Sequence, residues 1–208
     1  MSYQPSNGNH IKTLKVAAVI FQYIAASDNG LSLGQLQELV GCSKSAIHRH
    51  LLTFMRSNWI EFVPLSDNGG LWRLTHCYVG MAFEWKRQAL NGQGLGRQWM
   101  FNDNNKLEDN DTVFKAIKLF HLVSNSGLNG LTLDELLDYS GYRRTTIYRL
   151  LRTWESLGWL RAIPVDNRSE RWCMSTKLVD IAHQHENQRR RMVAKLHEEY
   201  EQVTGEAL

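Results

Sequence analysis

Cysteine is scarce in this chain: three residues in 208, Cys42, Cys77 and Cys173, widely spaced and without a CxxC pair. That spacing gives no disulfide framework and no zinc ribbon, and leaves the three as small core residues. Long apolar runs are also missing, since nothing approaches the roughly 20 residues that cross a bilayer. The opening MSYQPSNGNH lacks the charged-then-apolar order of a signal peptide, so a cytoplasmic location is expected. No glycine-rich phosphate loop, paired-carboxylate context or nucleophile motif occurs, and the expectation is a non-enzyme without a cofactor. His48-Arg-His50 and His183-Gln-His185 stand at i, i+2, which turns their rings to different helix faces. With no acidic or thiol partner at ligand spacing, a metal site is not expected.

Nor is there a large excess of one charge, the formal net being +3. Its distribution is more telling. Residues 1–91 and 112–182 carry +3 each, whereas 92–111 carry −2 and 183–208 carry −1. Two mildly basic blocks thus flank an acidic connector.

The two basic blocks are copies of each other. At an offset of 100, Gly30, Leu31, Leu33, Leu36 and Gly41 match Gly130, Leu131, Leu133, Leu136 and Gly141. The register persists through Ile47/Ile147, Arg49/Arg149, Leu51/Leu151, Trp59/Trp159, Trp72/Trp172 and Ala82/Ala182. Upstream of Gly30 the offset becomes 99, pairing Ala17, Ile20, Phe21 and Ile24 with Ala116, Leu119, Phe120 and Val123. So long a period in two copies means tandem domains, not a solenoid. The expected division is a first domain over 10–91, a linker over 92–110, a second domain over 111–182 and a C-terminal helix over 183–205. Trp99, Met100 and Phe101 interrupt the linker's polarity and are read as docking on a neighbouring domain.

Each copy opens with apolar residues at helical spacing. Ser32-Leu-Gly-Gln35 and Thr132-Leu-Asp-Glu135 then fit a capping box, so a second helix begins at the same place in both. It ends at Gly41 or Gly141, the residue type suited to a left-handed cap. A third helix follows over about 44–57 and 144–157, with Ile47, Leu51 and Phe54, or Ile147, Leu151 and Trp154, facing inward. The period then changes to two, reading as a hairpin whose core includes Trp59 and Trp72, or Trp159 and Trp172. The fold class is mainly α with small β-hairpins, two tandem winged helix-turn-helix domains and a long C-terminal helix.

The second copy ends its third helix with Arg149-Leu150-Leu151-Arg152-Thr153-Trp154-Glu155-Ser156-Leu157-Gly158. This resembles the R-L-L-x-T-L-x-x-L-G pattern before the wing in the DNA-binding domain of IclR-family transcription regulators. The first copy is more diverged, with Asn58 where the glycine belongs. The chain departs from the family in having a second such module where the effector-binding domain would stand. The resemblance implies a DNA-binding regulator, nucleoid-associated in a bacterium or phage.

The residues themselves point the same way. With Ile147, Leu151 and Trp154 inward, Arg143, Arg144, Thr145, Thr146, Tyr148, Arg149 and Arg152 fall at or beside the outer face. Guanidinium forks match phosphate oxygens and the guanine edge, and a recognition helix delivers its N-terminal residues into the major groove. Arg143 and Arg144 are expected to read bases or phosphates, Thr145 and Tyr148 to line the groove, and Arg149 and Arg152 to clamp phosphates. Arg143 stands where the first copy has Ser43, so the third helix of the second copy lacks a side-chain N-cap. In the wing, Arg168 and Arg171 are candidates for backbone contact, or else pair with Asp166 and Glu170. The first copy offers Ser43, Lys44, Ser45, His48 and Arg49, either as a less charged reader or as a protein-binding surface.

The expected partner is double-stranded DNA, and the expected role a sequence-specific regulator, most simply a repressor. A plasmid- or phage-type replication initiator and a protein-interaction adaptor or antirepressor are the alternatives. The connector, of about 20 residues, could span up to roughly 70 Å and leaves half-site spacing open. In the tail, Val193, Leu196, Tyr200 and Val203 form a narrow seam suited to homodimer pairing.

Overall fold

The structure, a computed structural model, describes residues 11–65, 69–75, 78–83, 87, 111–127, 129–166 and 169–204, without the side chains of 192, 196, 200, 203 and 204. The connector 92–110 with Trp99, Met100 and Phe101, together with Cys77 and Arg168, lies outside these residues.

In the first repeat α1 (Lys12–Ala25), α2 (Leu33–Val40) and α3 (Lys44–Arg56) precede β1 (Ile60–Pro64), β2 (Gly70–Leu74) and helical residues 78–83, α4. The second repeat gives α5 (Thr112–Asn125), β3 (Leu131–Thr132), α6 (Leu133–Ser140), α7 (Arg144–Ser156), β4 (Leu160–Pro164), β5 (Glu170–Met174) and α8 (Lys177–Thr204). Each repeat is therefore a winged helix-turn-helix.

Local chemistry sets the helix ends. Ser32 Oγ accepts from the Gln35 amide while Gln35 Oε1 accepts from the Ser32 amide, and Thr132 and Glu135 repeat the exchange. Gly41 and Gly141 close α2 and α6 at φ +71° and +67°, a region that costs glycine nothing. Asn58 takes the left-handed position of Gly158, with φ 57° against 73°, so the missing glycine is replaced by a residue that tolerates that geometry.

The offset of 99 between the first helices also holds in burial. Leu14, Ala17, Ala18, Ile20, Phe21, Ile24 and Ala25 are buried on α1, and their counterparts Val113, Ala116, Ile117, Leu119, Phe120, Val123 and Ser124 on α5. The wings are antiparallel hairpins, Ile60 facing Leu74 and Leu160 facing Met174. In the second repeat Leu131–Thr132 adds a third strand against β5; in the first, Leu31 makes a single bridge to Trp72. Two residues are too few to show a strand period.

The cores of the two repeats are continuous. Trp59 and Trp159 stack against each other, centroids 5.9 Å apart and planes 9° from parallel. Phe21 packs edge-on to Trp159 at 5.3 Å, and Phe120 edge-on to Trp59 at 5.2 Å. Both tryptophans are core residues, as expected, and keep contacts in their own repeat, Trp59 with Phe21 and Phe54 and Trp159 with Trp154, while also meeting the other copy. Two polar contacts frame the junction: the Ile11 amide donates to Thr153 Oγ1 at 3.0 Å, and Thr53 Oγ1 donates to Asp111 Oδ2 at 3.1 Å. At the centre, Trp59 Nε1–H donates to His121 Nε2 at 2.9 Å. Burial pushes the His121 pKa down to about 4, so the ring is neutral and its proton sits on Nδ1.

The first turns of α8 occupy the place that α4 holds in the first repeat, burying Leu178, Val179, Ile181 and Ala182. Gln188 Nε2 donates to the Ala26 carbonyl, tying α8 to the end of α1. From Arg189 onward every described side chain is exposed, Val193 included.

Candidate nucleic-acid interface

The second repeat presents the N-terminus of α7 as a cationic edge. Arg143 is its N-cap, in extended geometry (φ −67°, ψ 140°), and makes no side-chain cap bond. At the same position in α3, Ser43 Oγ accepts from the Ala46 amide. The α7 amides therefore lack the side-chain acceptor of the other copy, and the positive end of the helix dipole stands beside a guanidinium.

Arg143, Arg144, Thr145 and Arg149 are exposed, and Thr146 and Tyr148 are half-buried. Among the described residues no carboxylate lies against Arg143 or Arg149. Arg144 donates from both terminal nitrogens to Asp134 Oδ1, at 3.0 and 2.6 Å, with its side chain 53% exposed and that of Asp134 77%. An ion pair that open is worth no more than about 1 kcal/mol, which leaves Arg144 available to a competing anion.

Arg152 differs. Its guanidinium donates to Glu155 at 2.8 Å and to both oxygens of Glu170 at 2.9 and 2.8 Å, and its Nε donates to the Tyr148 hydroxyl at 3.0 Å. It lies over the Trp172 ring at 4.9 Å with only 14% of the side chain exposed. Burial opposes its charge, but the bonds to Glu155, Tyr148 and Glu170 prevail and raise its pKa above the ordinary arginine value. Arg152, expected from the sequence to clamp phosphate, thus has its guanidinium engaged in fixing wing to helix. Arg171 is likewise engaged, donating to the Asn129 and Gly130 carbonyls and to Glu135, and does not pair with Glu170. Hydrogen bonds from the Thr132 amide and hydroxyl, with the Arg171 charge, hold the Glu135 carboxyl below its usual range. Arg168 falls outside the described residues.

The profile of the IclR helix-turn-helix domain matches this sequence twice, over residues 13–64 and 112–164, together just over half of the chain. The chain belongs to the IclR helix-turn-helix family. It is accordingly a DNA-binding protein of transcription regulation. No curated protein matches it. Among solved structures, the crystal structure of ScpB from Mycobacterium tuberculosis aligns over 82% of this chain and 96% of that one at 10% identity. Its TM-score of 0.26 is too low to bear on fold or function. No helix among the described residues is long and apolar enough to cross a membrane.

The first IclR-type copy places Ser43, Lys44, Ser45, His48 and Arg49 on the exposed face of α3. Behind them sequence reasoning missed a substitution of the whole helix-to-wing contact. Leu52, Met55 and Gly70 stand where the second copy has Arg152, Glu155 and Glu170. Phe62, opposite Trp72 in the ladder, packs on that ring at 4.9 Å, as Arg152 does on Trp172. A side chain at position 70 would run into the Phe62 ring, whereas Ala162 leaves room for Glu170. The result is a mostly apolar groove of about 540 Å³, walled by Leu52, Met55, Phe62 and Trp72. Residue-by-residue comparison of the copies at an offset of 100 carries the signal for it.

Proposed function

We propose that the protein is a sequence-specific reader of double-stranded DNA that acts as a repressor by occupying major-groove segments of a promoter. The cationic edge of α7, Arg143, Arg144 and Arg149, carries this reading. Arg143 adds positive charge at a helix end whose amides lack a side-chain acceptor, and a bound phosphate supplies the anion that both need. Thr145, Thr146 and Tyr148 line the groove. In the first repeat Lys44 and Arg49 contact the backbone while Ser43, Ser45 and His48 meet bases. Arg152 and Arg171 support this surface from behind. The site of action is the cytoplasm, on the nucleoid, and two copies pair through the tail positions Val193, Leu196, Tyr200 and Val203, of which Val193 is exposed.

A gel-shift titration at low ionic strength tests the reading, comparing the full chain with a variant carrying Arg143→Ala, Arg144→Ala and Arg149→Ala. The variant is expected to lose specific binding. Unchanged affinity in the variant sinks the assignment to α7, and a parent chain that binds no duplex favours a protein-interaction adaptor.

A further inference from the structure

Contacts between the repeats are reciprocal. Phe21 meets Trp159 as Phe120 meets Trp59, at 5.3 and 5.2 Å with interplanar angles of 65° and 68°. The start of α1 bonds to Thr153 on α7, and the start of α5 bonds to Thr53 on α3. Trp59 and Trp159, equivalent residues, meet each other directly. A contact in which residue i touches the copy of j, and j the copy of i, is isologous and belongs to a two-fold axis; head-to-tail stacking gives no such reciprocity. The junction is also part of the folded core, with Phe21, Trp59, Phe120 and Trp159 all buried. The connector therefore does not set the relation between the repeats.

Thr53 and Thr153 make this relevant to α3 and α7. Each sits one helical turn beyond Arg49 or Arg149 and donates to that arginine's carbonyl, at 3.0 and 2.7 Å, while touching the opposite repeat. Each recognition helix is thus seated against the other half of the molecule just behind its exposed arginine.

We infer that one chain reads an inverted pair of unequal half-sites at a single fixed spacing. This rests on the DNA-binding reading above and narrows the class of duplex. Two-fold heads require inverted half-sites, because operator symmetry mirrors protein symmetry. The halves are unequal because α7 presents Arg143, Arg144, Tyr148 and Arg149 where α3 presents Ser43, Lys44, His48 and Arg49. Arginine forks favour guanine in the half under α7, while the half under α3 has fewer cations to hold the backbone. The spacing is fixed because moving one head independently would open the aromatic core.

Selection of randomised duplexes with the full chain, then hydroxyl-radical footprinting and a spacer series on the selected site, tests this. The expected site is one inverted, imperfect pair whose halves are contacted by the two heads of the same chain, with Arg49→Ala and Arg149→Ala each weakening protection in opposite halves. Lengthening the spacer by 5 or by 10 base pairs should each lower affinity about 100-fold, towards that of a single half-site. A flexible tether would instead tolerate the full-turn insertion. A direct repeat, a single protected half, an Arg149→Ala effect on both halves alike, or retained affinity at 10 added base pairs overturns the inference while leaving DNA binding intact. Absence of binding to any duplex overturns the DNA-binding reading itself.

Discussion

Replacing Trp59 by alanine should destabilise both repeats at once. The ring is 1% exposed and packs on Phe21 and Phe54 from its own repeat and on Phe120 and Trp159 from the other. Removing a buried tryptophan costs about 3–5 kcal/mol. Loss of its Nε1–H leaves His121 Nε2 without that donor inside the core, adding about 1 kcal/mol or more. A total near 5 kcal/mol is a large share of the roughly 5–15 kcal/mol that holds a domain folded. With a urea slope of about 2 kcal/mol per molar, the midpoint should fall by about 2.5 M. The assay is urea denaturation of the full chain followed by tryptophan fluorescence and far-ultraviolet circular dichroism. One coincident transition is expected for the parent, since a continuous core cannot melt in halves. Two separate transitions in the parent, or a cost below about 1 kcal/mol in the variant, would refute the shared core.

Arg143→Ser should restore the cap seen at Ser43 and raise stability by about 1 kcal/mol while weakening DNA binding; a destabilised variant, or one with undiminished affinity, contradicts the account of that position. Stability should also fall on acidification. The His121 pKa is lowered from 6.5 to about 4 in the folded state, so the unfolded chain binds the extra proton between those values. Its contribution is complete above pH 6.5 and declines by about 2–3 kcal/mol as pH falls to 4.5, read as the urea midpoint against pH. His121→Gln keeps an acceptor for Trp59 and removes the titration, so an equally steep decline in that variant places the effect elsewhere. Truncation after Arg191 should convert a dimer to a monomer in light scattering, and an unaltered mass would remove α8 from the pairing.

How much was legible in the sequence depended on the range of the interaction. Capping boxes, glycine caps and the absent cap at Arg143 are settled within three or four residues, and all were readable. The buried faces of α1 and α5 followed from helical spacing. The partners of Arg152 are not legible, because helical spacing places its cation beside the outer face but cannot reveal Glu170, 18 residues on, across the wing. Trp59 and Trp159 are legible as core, but their contact with each other is not, since periodicity reports which side chains leave water and not what they meet. The apolar groove of the first repeat required reading positions 52, 55, 62 and 70 jointly.

The salt dependence of DNA affinity tests the central claim most directly, which is that the exposed arginines at the start of α7 neutralise phosphates while the half-buried Arg152, held by Glu155 and Glu170, does not. Affinity of the full chain for its selected duplex is measured across a range of salt concentrations. Arg143→Ala and Arg149→Ala should each reduce the log–log slope by about one, and Arg152→Ala should leave the slope unchanged. Slopes unaffected by the first two, or a slope reduced by the third as much as by either, would contradict the account.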